Sequence, residues 1–268
     1  MTTLNRKYNL KPAVTTGNEK MFRLDHHSID MTITLPLQFD LRTVFPSCIP
    51  VILDQSSLGS CAANELSNAM RYCLRKEKVV DFQPSRLYIY YFGRLFEGSD
   101  VHQDTGMSVS GVCGAIQKYG SCSENNWGYD ITKFTIQPPR PAIIAAHTHV
   151  PGYKFLQVQQ DLVHIKQALF SGYPIIIGLQ LYSSFESDVV MQTGVVPMPD
   201  TIKETLLGGH CLALYSYDDS TQTFGMMNSW GKGTIENPVG KDGWFTIPYK
   251  YILDPNLGQD YCQVRYFK

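Results

Sequence analysis

The spacing of apolar residues changes near the middle of the chain. Up to about residue 137, apolar residues recur at helical spacing, which predicts helices at 61–78, 84–93 and 108–119. Beyond that point one more helix is predicted at 161–171, and the other segments are short apolar runs between turn residues. These runs predict strands at 175–181, 211–217, 223–227, 243–247 and 261–267. Helices followed by mostly antiparallel strands are typical of the α+β class.

A proline-rich stretch separates these two halves. Residues 137–141 read Gln-Pro-Pro-Arg-Pro, a composition typical of a boundary. We therefore expect a helical lobe over about residues 50–137 and a β lobe over about 138–268. A polar lead-in precedes residue 36 and ends in an alternating apolar stretch, 29–35, which predicts a short strand.

Composition and charge exclude several kinds of partner. The chain has 268 residues, is 43% hydrophobic and has a formal net charge of -1. It can therefore bury a core, but it has no excess of basic residues for binding nucleic acid. No segment approaches the roughly 20 apolar residues of a membrane span, and no signal peptide is seen at the N-terminus. We expect a cytoplasmic protein that binds neither nucleic acid nor membranes.

The cysteines indicate a reducing environment. There are seven, an odd number, and none forms a CxxC pair, which argues against a zinc cluster and leaves at least one thiol unpaired. Without a secretion signal, reduced thiols are the simplest interpretation. A bridge between Cys113 and Cys122 is the alternative. We expect neither a metal nor another cofactor.

Cys61 gives the strongest chemical signal in the chain. It opens the first predicted helix, with Ser60 at the N-cap and the polar residues Asn64 and Asn68 on the face opposite the apolar stripe. A cysteine in a first turn feels the positive end of the helix dipole, which favours the thiolate. Its own N–H is free to meet an oxyanion, and Gln55, six residues upstream, could supply a second donor. The alternative is a buried structural cysteine.

A thiol nucleophile needs a base and a residue that orients the base. His210 follows two glycines and opens the strand predicted at 211–217, whereas Asn228 ends the strand predicted at 223–227. Antiparallel pairing places the start of one strand beside the end of the next, so His210 and Asn228 are expected to be neighbours. Taken singly, each could be a structural histidine or a turn residue.

Three blocks of sequence resemble, in the same order, the signature of the papain-like cysteine peptidases: Gln55 to Cys61, Gly209-His210 and Asn228-Ser-Trp-Gly231. The resemblance covers about residues 36–268 and implies an α+β, two-lobe fold. In that fold a helical N-terminal lobe faces an antiparallel, β-barrel-like C-terminal lobe, and the active site lies in the cleft between them.

The chain also departs from most of that family. It has Leu58 where most members have a cysteine, and Ala62 where most have tryptophan. The missing cysteine removes a usual disulfide and agrees with reduced thiols. The chain is more similar to the disulfide-poor, xylellain-like branch known from microbes and viruses, so a virion or the cytosol of a host is a second expected location.

The resemblance implies a role for each matching residue. The Cys61 thiolate would pair with the His210 imidazolium, Asn228 would hold the imidazole, and Trp230 would shield that hydrogen bond from water. The oxyanion hole would consist of the Gln55 side chain and the Cys61 N–H.

Four residues are expected to contact substrate. Gly106 and Met107 align with the segment that pairs with an extended substrate backbone, and Gly209 and Trp230 flank the catalytic histidine. For Met107 a place in the apolar core is an equal alternative.

The predicted function is hydrolysis of peptide bonds through an acyl-enzyme, with peptides or proteins as substrates. One alternative is an amidase or acyl-transferase that uses the same site on a non-protein substrate; the other is a non-catalytic binding protein with this fold. The lead-in, residues 1–35, is a candidate short pro-segment. Its predicted strand at 29–35 is expected to lie across the cleft and restrain activity.

Overall fold

An open β-sheet forms the larger part of the fold. The computed structural model describes residues 6–12, 25–26, 28–30, 32–148 and 152–267. These residues contain the strands β1 Asp25–His26, β2 Gln38–Asp40, β3 Tyr153–Gln157, β4 Ile175–Tyr182, β5 Leu206–Asp218, β6 Thr223–Met227, β7 Trp244–Pro248 and β8 Gly258–Tyr266. The order is β1-β3-β8-β4-β5-β6-β7, with β2 also paired to β5. Among these strands of the described residues, β1 and β3 pair in parallel and the other pairs are antiparallel. Because this order has two ends, the sheet is not closed into a barrel.

One long helix joins the sheet to the other helices. The helices of the described residues are α1 Leu41–Val44, α2 Cys61–Lys76, α3 Arg86–Phe96, α4 Val109–Tyr119, α5 Arg140–His147, α6 Leu162–Phe170, α7 Asp188–Thr193 and α8 Tyr249–Leu253. α2 packs against β5 and β8 on one side and against α3 and α4 on the other. Its apolar residues therefore share one core with both parts of the molecule, and Cys61 begins this central helix.

The α+β class predicted from the sequence is confirmed, as is the change from helices to strands. The helices and strands predicted from residue 61 onwards occur, with changes of up to five residues at their ends. The helix predicted from residue 84 begins at Arg86, because the Ser85 side chain accepts a hydrogen bond from the Tyr88 N–H and caps it. The strand predicted at 211–217 begins at Leu206, so His210 lies inside β5 rather than at its start.

The prediction of a strand at 29–35 is wrong. This holds for all of these residues except Met31, which lies outside the described residues. The Asp30 side chain accepts hydrogen bonds from Thr32, which produces a turn instead of an extended chain. Backbone groups of Asp30 bond to the Gln167 side chain in α6, so this stretch lies against the β lobe and not across the cleft. Seven short elements of the described residues have no counterpart among the predicted ones: α1, α5, α7, α8, β1, β2 and β3.

All seven cysteines are unpaired and buried. The bridge weighed between Cys113 and Cys122 is not formed; the sulfur of Cys113 lies 3.4 Å from that of Cys262 instead. Within the described residues, the helices are all too short or too polar to span a lipid bilayer.

Candidate active site

Cys61 lies at the first position of α2, as the sequence predicts. Ser60 occupies the N-cap position, but its side chain does not cap the helix. Its hydroxyl bonds to the Tyr129 hydroxyl at 2.6 Å and accepts a bond from the Asn64 side chain at 3.1 Å. The first-turn N–H groups, including that of Cys61, are therefore free of a side-chain cap and point towards the cleft end of the helix. The Cys61 sulfur lies against the backbone N–H of Cys211, the residue after His210.

His210 and Asn228 are in direct contact. His210 Nε2 lies 2.8 Å from Asn228 Oδ1, and both residues are fully buried. Asn228 Oδ1 also accepts the Ser229 backbone N–H at 2.8 Å, which identifies it as the acceptor atom of the amide. His210 Nε2 must therefore be the protonated nitrogen, because it faces an acceptor. The other nitrogen, Nδ1, is buried and has no hydrogen-bond partner among the described residues.

An aromatic cover lies over this pair. The Trp230 ring lies 5.0 Å from the His210 ring, centre to centre, at an angle of 32°. Phe185 packs edge-on against Trp230 from the other side. Because Trp230 is only 6% exposed, it excludes water from the bond between His210 and Asn228.

Hydrogen bonds of its side chain and backbone hold Gln55 in the loop before α2. Its Nε2 donates to the Leu58 carbonyl at 3.0 Å, and its Oε1 accepts the Ser229 hydroxyl at 2.8 Å. Its backbone N–H donates to the Ser229 carbonyl at 2.8 Å. The bonds to Ser229 join the loop before α2 to the loop that contains Asn228. One Nε2 hydrogen of Gln55 remains for another acceptor.

Burial favours the neutral forms of both reactive groups. It raises the pKa of the Cys61 thiol to about 12, although nearby backbone N–H groups act in the opposite direction. Burial lowers the pKa of the His210 imidazole to about 4; the bond to Asn228 opposes this shift, and the charge of Arg6 adds to it. In this covered cleft the neutral pair is favoured at pH 7. The thiolate–imidazolium pair implied by the resemblance stays a prediction for an open cleft.

Residues 6–12 cover the cleft; we call them the cleft segment. The Leu10 N–H donates to the Gly209 carbonyl at 3.0 Å, and the Lys11 N–H donates to the Met107 carbonyl at 3.3 Å. Gly106 also faces the segment, since a side chain there would clash with the Asn9 carbonyl. Of the four predicted substrate contacts, Gly106, Met107 and Gly209 thus line a groove that holds an extended backbone.

Side chains of the cleft segment fill pockets on both sides. Leu10 is 7% exposed and belongs to the apolar core around α2. A Cβ added to Gly178 would come within 2.7 Å of Leu10 Cδ2, so Gly178 leaves the room that this leucine needs. Lys7 forms an ion pair with Asp104 at 2.6 Å. Asp104 also accepts the Gly59 N–H at 3.1 Å, two residues before Cys61.

The first residues of the cleft segment lie against His210. The Tyr8 ring is 5.9 Å from the His210 ring in an edge-on arrangement, and its hydroxyl bonds to Glu186. The Arg6 guanidinium lies 4.0 Å from the centre of the Trp230 ring. Trp230, the fourth predicted substrate contact, is therefore covered by the cleft segment and not exposed to solvent.

Two kinds of residue in this site were missed from the sequence. The cleft segment is a short polar stretch without periodicity, so nothing local indicated where it binds. Asp104 was not among the residues predicted for the site. The available signal was its position two residues before a glycine expected to meet substrate backbone.

Comparison with known proteins agrees with this geometry. An uncharacterised peptidase C1-like protein of Acanthamoeba polyphaga mimivirus is 36% identical over 233 residues, which are 83% of this chain and 72% of the relative. The chain belongs to the papain-like cysteine peptidases. A cathepsin B-like protein of Giardia intestinalis is 28% identical over 227 residues, which are 79% of this papain-like chain and 69% of that relative. No protein-family model matches the chain.

Solved structures agree with the same family. Xylellain, a cysteine protease from Xylella fastidiosa, superposes with a TM-score of 0.84 and 27% identity, covering 98% of this chain and 97% of xylellain. This similarity confirms the xylellain-like branch and the papain-like fold. A procathepsin B of Trypanosoma congolense superposes with a TM-score of 0.70 and 17% identity, covering 97% of this chain and 87% of the procathepsin chain. At this identity the similarity supports the fold alone. The protein is a hydrolase of the papain-like cysteine protease type.

Proposed function

We propose that this protease cleaves peptide bonds with Cys61 as nucleophile, His210 as its base and Asn228 as the residue that orients the histidine. The observation that supports this most is the bond of 2.8 Å from His210 Nε2 to Asn228 Oδ1. Because that bond holds the proton on Nε2, Nδ1 keeps a free lone pair for the thiol proton. The Cys61 sulfur lies against the next residue of the same strand.

The proposed reaction has two stages. His210 Nδ1 takes the Cys61 thiol proton, and the sulfur forms a bond to the scissile carbonyl carbon. The carbon–nitrogen bond then breaks, and the leaving amine takes the proton from Nδ1. In the second stage water attacks the thioester and gives a proton to Nδ1. The carboxylic acid leaves, and the proton returns to the sulfur of Cys61.

The oxyanion of each tetrahedral intermediate would bind between two donors. One is the Cys61 N–H, which as a first-turn amide has no acceptor within its helix. The other is the second Nε2 hydrogen of Gln55, whose side chain is immobilised by Leu58 and Ser229. Donors fixed before the reaction need no reorganisation as charge develops, and one such donor contributes roughly 10²- to 10³-fold in kcat.

A thiol-directed epoxide followed by intact-mass analysis tests the assignment. We expect one adduct on the protein, and Cys61→Ala should abolish it. Cys122→Ala is the matched control at a cysteine outside the cleft and should retain the adduct. Peptide cleavage should be lost in the same variant. No adduct after prolonged incubation, or an adduct that Cys61→Ala leaves unchanged, contradicts the assignment. An adduct on a protein that hydrolyses small amides but no peptides favours the amidase alternative.

We also propose that the cleft segment restrains this activity. In a substrate, the part C-terminal to the scissile bond leaves as the amine and must lie beside the proton donor, His210. The cleft segment runs the opposite way, because its first residues, Arg6 and Tyr8, lie on Trp230 and His210. It therefore occupies the groove without presenting a bond for cleavage. The restraint expected from residues 1–35 is thus assigned to 6–12 instead of 29–35.

We further propose that residues 36–268 form the peptidase domain and that the protein works in a reducing compartment. The second proposal is supported by the seven unpaired cysteines, since disulfides are rare in compartments where thiols are kept reduced. Peptides or proteins are the proposed substrates. The proposed domain begins at Pro36, next to β2, which pairs with β5 and so attaches the first residues of the domain to the strand that contains His210.

A further inference from the structure

Glu65 is a buried carboxyl directly beneath the nucleophile. It lies four residues after Cys61 in α2, so the two side chains share one face of the helix. It is 1% exposed, and neither carboxyl oxygen has a hydrogen-bond partner among the described residues. A buried ionised carboxyl without a donor is very unfavourable, so a side chain in this position must be neutral or must gain a partner.

The hydrogen bonds around Ser229 fix which atom is a donor. Gln55 Nε2 faces the Leu58 carbonyl, which can only accept, so Gln55 Oε1 is an acceptor as well. The Ser229 hydroxyl therefore donates its single proton to Gln55 Oε1 at 2.8 Å. The Ser229 side chain also lies beside the Glu65 carboxyl, although the two groups are not hydrogen-bonded to each other. It has no second proton to give, so only a protonated Glu65 can complete this contact, by donating to the serine oxygen.

The other neighbours of Glu65 favour the same state. The titratable groups that face it are Cys61 on α2 and Cys211 and Tyr215 on β5. None of these three is a cation that could stabilise a carboxylate. Burial accordingly raises the pKa of Glu65 well above its ordinary value. A charged Glu65 would also compete for the Ser229 proton and take it from Gln55.

We propose that neutral Glu65 is a positioning residue for the oxyanion hole, acting through Ser229 on the Gln55 amide. In this role Glu65 turns its proton towards Ser229 Oγ and leaves the Ser229 proton to Gln55 Oε1, which holds the remaining Nε2 hydrogen of Gln55 towards the oxyanion. This role rests on the proposed function, because it requires that Gln55 stabilises the oxyanion of the transition state. Glu65 itself contacts no substrate.

Kinetics of the full-length protein test the role. Glu65→Leu keeps the volume but removes the donor; kcat should fall about tenfold with KM little changed, because only transition-state binding is weakened. Glu65→Gln keeps a neutral donor and should recover most of that kcat. Glu77→Gln, the same change of group at the other end of α2, should leave both constants unchanged. A Glu65→Leu variant with unaltered kcat overturns the proposal.

Infrared difference spectra give a readout that needs no activity. At pH 7 the spectrum of the parent chain minus that of Glu65→Gln should show the carbonyl band of one neutral carboxylic acid. A carboxylate band in its place overturns the proposal even if the protein hydrolyses nothing. Failure of the peptidase assignment would look different, because the parent chain would then lack both peptide turnover and Cys61 labelling.

Discussion

Leu10→Ala should convert the restrained protease into a more active one. The Leu10 side chain is 7% exposed in the apolar core around α2. Truncation to alanine removes buried apolar groups worth about 2 kcal/mol of the contact between the cleft segment and the cleft. Since 1.4 kcal/mol is a tenfold change in an equilibrium constant, the ratio of open to covered cleft should rise by about 30-fold. While the covered form predominates, kcat/KM should rise by the same factor.

The assay is hydrolysis of a short fluorogenic peptide by the full-length chain, with the concentration of active sites determined by titration of Cys61. Ile33→Ala is the matched control, because Ile33 is another apolar residue of the lead-in, 43% exposed and outside the cleft. It should leave kcat/KM unchanged. Adding a peptide of the cleft-segment sequence to Leu10→Ala should lower its turnover towards the parent value.

Two results would refute this reasoning. If Leu10→Ala is folded and its kcat/KM equals that of the parent, the cleft segment does not limit access. If Ile33→Ala instead raises turnover, the restraint belongs to the stretch at 29–35, as the sequence alone predicted.

Three further predictions concern single side chains. Asn228→Ala should lower kcat about 10- to 100-fold in a peptide assay, because His210 loses the acceptor that fixes its tautomer, and an unchanged kcat would contradict that role. Gln55→Ala should lower kcat by roughly 10²-fold with little change in KM, and an equal rise in KM would point to ground-state binding instead. Glu65→Gln should raise the free energy of unfolding relative to the parent, by a margin that grows with pH above about 4.5, the ordinary pKa of a glutamate. The sign follows because the raised pKa keeps a proton on native Glu65 that the unfolded chain has lost. The free energy of unfolding of the parent therefore falls by up to about 1.4 kcal/mol per pH unit until the pKa of the folded state is reached. Denaturant unfolding at several pH values measures this difference, and parallel curves for the two proteins would contradict the prediction.

Local patterns were enough to predict where the side chains of the proposed site lie in the fold. Cys61 could be placed because a helix start has sequence signals that do not depend on the rest of the fold. His210 and Asn228 could be placed because a hairpin turn near residue 219 sets the register of two antiparallel strands. That register pairs Ala213 with Met227, which brings the two side chains together.

Contacts between distant parts of the chain could not be predicted in this way. The cleft segment pairs with Gly209, about 200 residues later, and its few polar residues have no periodic pattern that would identify a partner. The face of α2 predicted to be polar is also buried: Asn64 bonds to the Ser60 carbonyl, and Asn68 to the Val51 carbonyl. A helix at the centre of a fold satisfies such side chains with loop backbone, which amphipathic periodicity cannot anticipate.

The pH dependence of Cys61 alkylation tests the central claim most directly. In the parent chain, burial places the thiol pKa at about 12, so alkylation should stay slow at neutral pH and accelerate only towards alkaline pH. Leu10→Asp cannot keep a carboxylate in the apolar pocket, so the cleft segment should leave and expose Cys61 beside His210. Alkylation should then be fast at pH 7 and depend on His210. Identical, slow profiles for the two proteins, or a fast reaction that survives His210→Ala unchanged, would contradict the account.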